Sequence, residues 1–165
     1  MELLLVRHAA AIPRGEDISD PDRPLTAKGM RRFGREVDAL AGLNLFLDTA
    51  VHSPWLRAAQ TARLLADITE GEIHASAHLA AAPSEALLAE VATFSDEGRH
   101  ALVGHEPWLA QLLAWLVTGN AGLAATMPFK KGGVALLAGQ PRPGGMAVRA
   151  ILPPRFLRRL GDGAR

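Results

Sequence analysis

Near its start the chain runs Glu2-Leu3-Leu4-Leu5-Val6 straight into Arg7-His8. A continuous apolar run of this length, with no polar alternation, reads as a strand covered on both faces, as in the middle of a parallel α/β sheet. Central strands of such sheets deliver their C-terminal residues to the crevice where ligands bind. Arg7 and His8 are thereby expected at an edge suited to chemistry.

The rest of the chain alternates in the same style. A Pro-, Gly- and Asp-rich loop from Ala11 to Pro24 leads to Thr26, a good N-cap for a helix to about Ala41, where Gly42 stops it. Asp48 to Ser53 is a strand candidate, and Pro54 opens a second helix to about Ile68. In that helix Leu56, Ala59, Leu64 and Ile68 are assigned to the core face, leaving Arg57 and Thr61 four apart on another. Ile73 to Leu79 reads as a third strand or an extended connection, and Ser84 caps a helix from Glu85 to about Phe94. Ala101-Leu102-Val103 is again an apolar strand, and again it ends in a histidine, at Gly104-His105, before a helix opened by Pro107 and running to about Val117. Gly132–Gly139 and Met146–Leu152, joined by a Pro- and Gly-rich turn, pair as an antiparallel hairpin.

Alternating strands and helices define an α/β fold: a three-layer α/β/α sandwich with a mostly parallel central sheet. With 165 residues and no linker, repeat or low-complexity tract, one domain over 1–165 is expected. In a parallel sheet the strand C-termini share an edge, so Arg7, His8, the Ser53–Arg57 turn and His105 are expected to converge.

Composition removes other chemistries. With no cysteine there is no disulfide, thiolate nucleophile or cysteine-based zinc site. A net charge of +1 provides no global field for nucleic acid or anionic lipid. Arg155, Arg158 and Arg159, beside Phe156, Leu157 and Leu160, read as the solvated face of a terminal helix rather than a nucleic-acid patch. No secretory leader or long apolar span is evident, so a cytoplasmic location without membrane attachment is expected.

Four segments, taken in order, resemble the histidine phosphatase (phosphoglycerate mutase-like) superfamily, and within it the small SixA-type phosphohistidine phosphatases. They are Leu5-Val6-Arg7-His8-Ala9, Arg23-Pro24-Leu25-Thr26-Ala27-Lys28-Gly29, Ser53-Pro54-Trp55-Leu56-Arg57-Ala58-Ala59-Gln60-Thr61 and Val103-Gly104-His105. The chemistry agrees. A phosphoryl group spreads negative charge over its oxygens, and guanidinium forks such as Arg7 and Arg57 match it in a way lysine does not. The resemblance implies that His8 is the nucleophile, becoming phosphorylated before water releases the phosphoryl group. It implies that His105 stabilises the phosphoryl oxygens, adding a third positive group if protonated, and that a carboxylic acid protonates the leaving group. Glu85 is the positional candidate for that acid, with Asp17, Asp20, Asp22 and Glu106 as competitors.

The remaining histidines, His52, His74, His78 and His100, receive no catalytic role. A metal site built from His8, His52 and His105 is disfavoured because the neighbouring arginines repel a divalent cation, and no cofactor is implied. Thr61 is read as supporting the helix of Arg57, Thr26 and Lys28 as shaping the loop before the first helix, and Lys130 and Lys131 as a rim or a solvated loop. Two departures matter. Ala9 stands where the superfamily's commonest form has glycine, and the short Ile73–Ser84 connection leaves no room for a large cap insertion. The expected activity is hydrolysis of phosphohistidine on a protein, or of a small phosphoester. The alternatives are a phospho-ligand binding module with little turnover and a phosphatase dedicated to one metabolite.

Overall fold

The computed structural model describes residues 1–15 and 17–163. Its six-stranded sheet has the order β3-β2-β4-β1-β5-β6, with β1 at Glu2–Arg7, β2 at Thr49–His52, β3 at Ile73–Ala75, β4 at Arg99–Gly104, β5 at Val134–Gly139 and β6 at Met146–Leu152. Strands β1 to β4 pair in parallel, whereas β5 runs antiparallel to β1 and to β6. The sheet is therefore mostly parallel, with an antiparallel hairpin at one edge, as expected.

The apolar run earns its central place through period-two geometry. Leu4 and Val6 enter one core with Ala101, Val103 and Val134, while Leu3 and Leu5 enter the opposite core with Leu102, Ala135 and Leu137. The first core is closed by α1 (Ala27–Gly42), α2 (Leu56–Leu64) and α5 (Pro154–Gly163), whose Phe33, Leu40, Ala58, Ala62 and Leu157 are buried there. The second is closed by α3 (Glu85–Val91) and α4 (Trp108–Thr118) through Leu87, Leu88, Leu109, Leu112 and Leu113. Helices thus lie on both faces, giving the three-layer sandwich.

Four local expectations change. In α2 the core face is Ala58 and Ala62, continued by Leu65 and Ile68 in a 3-10 turn, whereas Leu56 is exposed and Ala59 only half-buried. Hydropathy favoured Leu56, but the helix starts there, so its first residue projects to solvent and the inward register begins two residues later. Only Ile73–Ala75 of the third strand forms, and a 3-10 turn at Ala77–Ala80 follows. Helix α3 ends at Val91 rather than near Phe94, and β5 begins at Val134 because Gly132 turns the chain with φ +79°. No helix among the described residues is long and apolar enough to cross a membrane.

Candidate active site

Parallel pairing of β1, β2 and β4 brings their C-terminal ends to one edge, and there the chain is tightly stitched. The His8 amide donates to Gly104 O at 3.1 Å, the Arg7 amide to Gly133 O at 3.0 Å and the Gly132 amide to Arg7 O at 3.1 Å. The Ala9 amide donates to Thr61 Oγ1 at 3.0 Å, and that hydroxyl donates to Arg57 O at 2.6 Å. Thr61 thus does more than support its helix: it ties the residue after His8 to the backbone of Arg57.

His8 is buried, and its tautomer follows from its contacts. Nδ1 lies 2.7 Å from Ala9 O, and a carbonyl can only accept, so Nδ1 carries the proton. The Nε2 lone pair is left facing the site, where Arg57 Nε donates to it at 3.2 Å. Burial first, against the help of the Ala9 carbonyl, and then the charges of His105, Arg57 and Arg7 lower the His8 pKa to about 3. The imidazole is neutral at pH 7.

His105 stands beside it, with ring centroids 5.1 Å apart. Burial, followed by Arg57, also lowers its pKa to about 3, so it is a neutral ring rather than a third cation. Both of its ring nitrogens are buried without a hydrogen-bond partner, as is Arg7 Nε. Unpaired buried polar atoms are costly, and three of them in one cluster suit a site that receives an oxygen-rich ligand.

Each guanidinium is oriented from behind. Arg7 Nη1 donates to Phe129 O at 2.5 Å, and Glu106 Oε1 accepts from the Phe129 amide at 2.6 Å. Arg57 lies 4.6 Å from the ring centre of Trp55, which also packs 4.5 Å from His105, and its Nη1 donates to Asp20 O at 2.5 Å. Burial lowers the pKa of both arginines, although a guanidinium remains charged at neutral pH.

The structure brings Arg7, His8, Arg57 and His105 together. Of the candidate acids, Asp20 is beside them, 3.6 Å from Arg57 Nη2. Burial opposes its ionisation, but hydrogen bonds from Arg14 and Arg23 and the charge of Arg57 prevail and lower its pKa to about 2. Asp20 is thus a carboxylate at neutral pH. Glu85 is exposed in the first turn of α3, and Asp17 and Asp22 are exposed as well. Glu106 is engaged with Phe129. No three His, Asp or Glu side chains among the described residues are arranged to hold a metal ion.

The Thr26-Ala27-Lys28-Gly29 segment has a definite task. Thr26 caps α1 by accepting from the Gly29 amide at 2.9 Å, while its own amide donates to Ala10 O at 2.9 Å. A Cβ on Gly29 would stand 2.1 Å from that same oxygen, so only glycine lets the helix approach the strand end. Lys28 is exposed. Sequence reading assigned no role to Arg23 and Trp55. Arg23 is buried, donating to Asp20 at 2.6 Å and to Ile12 O at 2.5 Å, and the i,i+3 spacing from Asp20 was the available signal.

Residues 3–83 match the family model of the histidine phosphatase superfamily, branch 1. An uncharacterized protein of Picosynechococcus sp. is 34% identical over 139 residues, covering 81% of this chain and 82% of its own length. The chain belongs to the histidine phosphatase superfamily. Its fold is similar to that of the protein histidine phosphatase SixA solved with tungstate (TM-score 0.79, 22% identity, 95% of this chain and 99% of the other). It is also similar to the alpha-ribazole phosphatase of Shigella flexneri (TM-score 0.74, 18% identity, 93% and 97%). Family and fold support phosphatase activity.

Proposed function

We propose that the chain, as one domain over 1–165, hydrolyses phosphohistidine or a small phosphoester in two steps through a phosphorylated His8. Nε2 of His8 attacks phosphorus, forming a P–N bond as the bond to the leaving group breaks and its electron pair departs with that group. Water then attacks the same phosphorus, the P–N bond breaks, its electrons return to Nε2, and inorganic phosphate leaves. Arg7 and Arg57 hold the phosphoryl oxygens through forked donors, and His105 adds a neutral N–H where charge develops. No metal or cofactor takes part in this scheme.

The observation that carries this reading is the Nδ1–H bond from His8 to Ala9 O, which leaves Nε2 unprotonated with its lone pair facing the site, where it accepts from Arg57 Nε at 3.2 Å. Asp20 is ionised and Glu85 is exposed, so we assign the leaving group's proton to solvent. That favours leaving groups needing little proton help, such as the imidazole of phosphohistidine or an aryl oxygen. The fold neighbours, a protein histidine phosphatase and an alpha-ribazole phosphatase, span both a protein and a small-molecule substrate.

The test is rapid quenching with labelled phosphohistidine protein and with an aryl phosphate. Acid-labile, base-stable label on His8, appearing before phosphate release and absent in His8→Ala, is expected. Phosphate binding with no label and no turnover on either substrate would leave a binding module.

A further inference from the structure

His8 and His105 are neighbouring neutral rings held in different ways. Nδ1–H of His8 is fixed by Ala9 O at 2.7 Å, whereas neither ring nitrogen of His105 has a hydrogen-bond partner among the described residues. A buried imidazole without a hydrogen bond keeps its orientation only through what it packs against. Besides His8, the rings on His105 are Trp55, with centroids 4.5 Å apart and planes inclined by 47°, and Trp108, 6.2 Å away and nearly perpendicular at 89°. The two indoles also meet each other edge to face at 5.6 Å. These separations lie within the range over which aromatic pairs attract.

The indoles serve the site rather than the interior. Among the described residues, Trp115 packs against the second core, but neither Trp55 nor Trp108 belongs to either core. Trp55 is the N-cap residue of α2, yet its side chain makes no capping bond. Its backbone is tied to both elements that carry phosphoryl-binding groups. The buried Ser53 donates its amide to Val103 O at 3.0 Å, two residues before His105, and accepts the Trp55 amide on Oγ at 3.3 Å. Trp55 O then accepts the amides of Ala58 and Ala59 in the turn that carries Arg57. Arg57 Cζ lies 4.6 Å from the centre of the indole, inside the reach of a cation–π attraction. One ring thus touches a guanidinium from α2 and an imidazole from the end of β4.

We infer that Trp55 is a positioning residue, whose ring sets Arg57 and His105 at the spacing a phosphoryl group needs and gives His105 the orientation that His8 takes from Ala9 O. The inference rests on the phosphatase reading and adds the residue that holds its two stabilising groups together. His105 acts where charge develops, so misplacing it raises the barrier more than it weakens ground-state binding, and a displacement of about 1 Å can cost about 100-fold. A ring is required, because an aliphatic side chain of similar bulk lacks the quadrupole that draws a guanidinium.

The test compares Trp55→Phe, which keeps a ring, with Trp55→Leu, which keeps apolar bulk alone. With Trp55 outside both cores, both variants are expected to unfold at the wild-type urea midpoint. On phenyl phosphate, kcat is expected to fall about 30-fold in Trp55→Leu with KM within about threefold, and to stay within about fivefold of wild type in Trp55→Phe. A second measurement needs no turnover: calorimetric binding of orthophosphate and of vanadate, which takes up the five-coordinate geometry of a phosphoryl group in transfer. Vanadate affinity is expected to drop about 30-fold in Trp55→Leu and to persist in Trp55→Phe, with phosphate affinity within about threefold in both. Equal effects of the two substitutions, whether both harmless or both damaging, overturn the positioning role. So does a fall in phosphate and vanadate affinity by the same factor, which marks a merely structural residue. Absence of turnover in the wild type, with vanadate affinity still dependent on the ring, overturns the phosphatase reading and leaves the role of Trp55 standing.

Discussion

The hydroxyl of Thr61 bridges the two halves of the site, accepting from the Ala9 amide at 3.0 Å and donating to Arg57 O at 2.6 Å. It fixes the carbonyl-bearing residue that sets the His8 tautomer relative to the helix that carries Arg57. Thr61→Val keeps the shape but strands a buried amide, at a cost of about 1–3 kcal/mol. Urea denaturation is expected to show that loss, with kcat falling more than KM rises. Thr61→Ser is expected to recover most of both. A Thr61→Val variant as active as the wild type would remove the bridge from the account.

The paired imidazoles give stability a definite pH dependence. His8 and His105 titrate near 3 in the folded protein and near 6.5 when unfolded. Between those values the unfolded chain binds more protons, so each histidine contributes stability that is complete above about pH 6.5 and declines as pH falls toward 3. The slope is about 1.4 kcal/mol per pH unit for each ring. His8→Asn/His105→Asn is expected to lose this dependence, read as the difference between wild-type and variant unfolding energies at pH 5 and pH 7. An unchanged difference would mean that the rings are not held neutral.

Much of this was legible because it is local. The unbroken run before Arg7, the recurrence of strand then histidine at His105, and the four-residue spacing of Arg57 and Thr61 all survive translation into sheet edge and helix face. What escaped depends on contacts between distant segments. The neutrality of His105 comes from burial beside Arg57, and the ionised state of Asp20 from arginines at positions 14, 23 and 57. The exposure of Leu56 depends on where α2 starts, which hydropathy does not specify. The ring set around His105 joins positions 8, 55, 105 and 108 across the end of β1 and the starts of α2 and α4, and no window of sequence contains them.

Glu36 works in the opposite direction to the histidines. Its folded pKa, raised by burial to about 7 despite the ion pair with Arg158, exceeds its ordinary value of 4.5. Between these values the folded protein holds the extra proton, so stability falls as pH rises through that window. Glu36→Gln abolishes this titration. Relative to wild type, the variant is expected to gain about 3 kcal/mol on moving from pH 4.5 to pH 8, measured by urea unfolding. A constant offset across the range would show that Arg158 keeps the carboxylate ionised throughout.

Ala9 stands where the resemblance to the superfamily leads one to expect glycine, and its methyl is buried at 2% exposure within the core that also holds Ala58 and Ala62. Asn44 is the only non-glycine residue with positive φ among those described, so the backbone at Ala9 needs none of glycine's freedom. The methyl points into packing rather than obstructing the amide, which is already given to Thr61. Ala9→Gly is therefore expected to destabilise the fold by about 1 kcal/mol through lost burial and added chain entropy. Turnover of an aryl phosphate is expected to change less than threefold. A large gain in kcat with unchanged stability would instead mean that the methyl crowds the phosphoryl group.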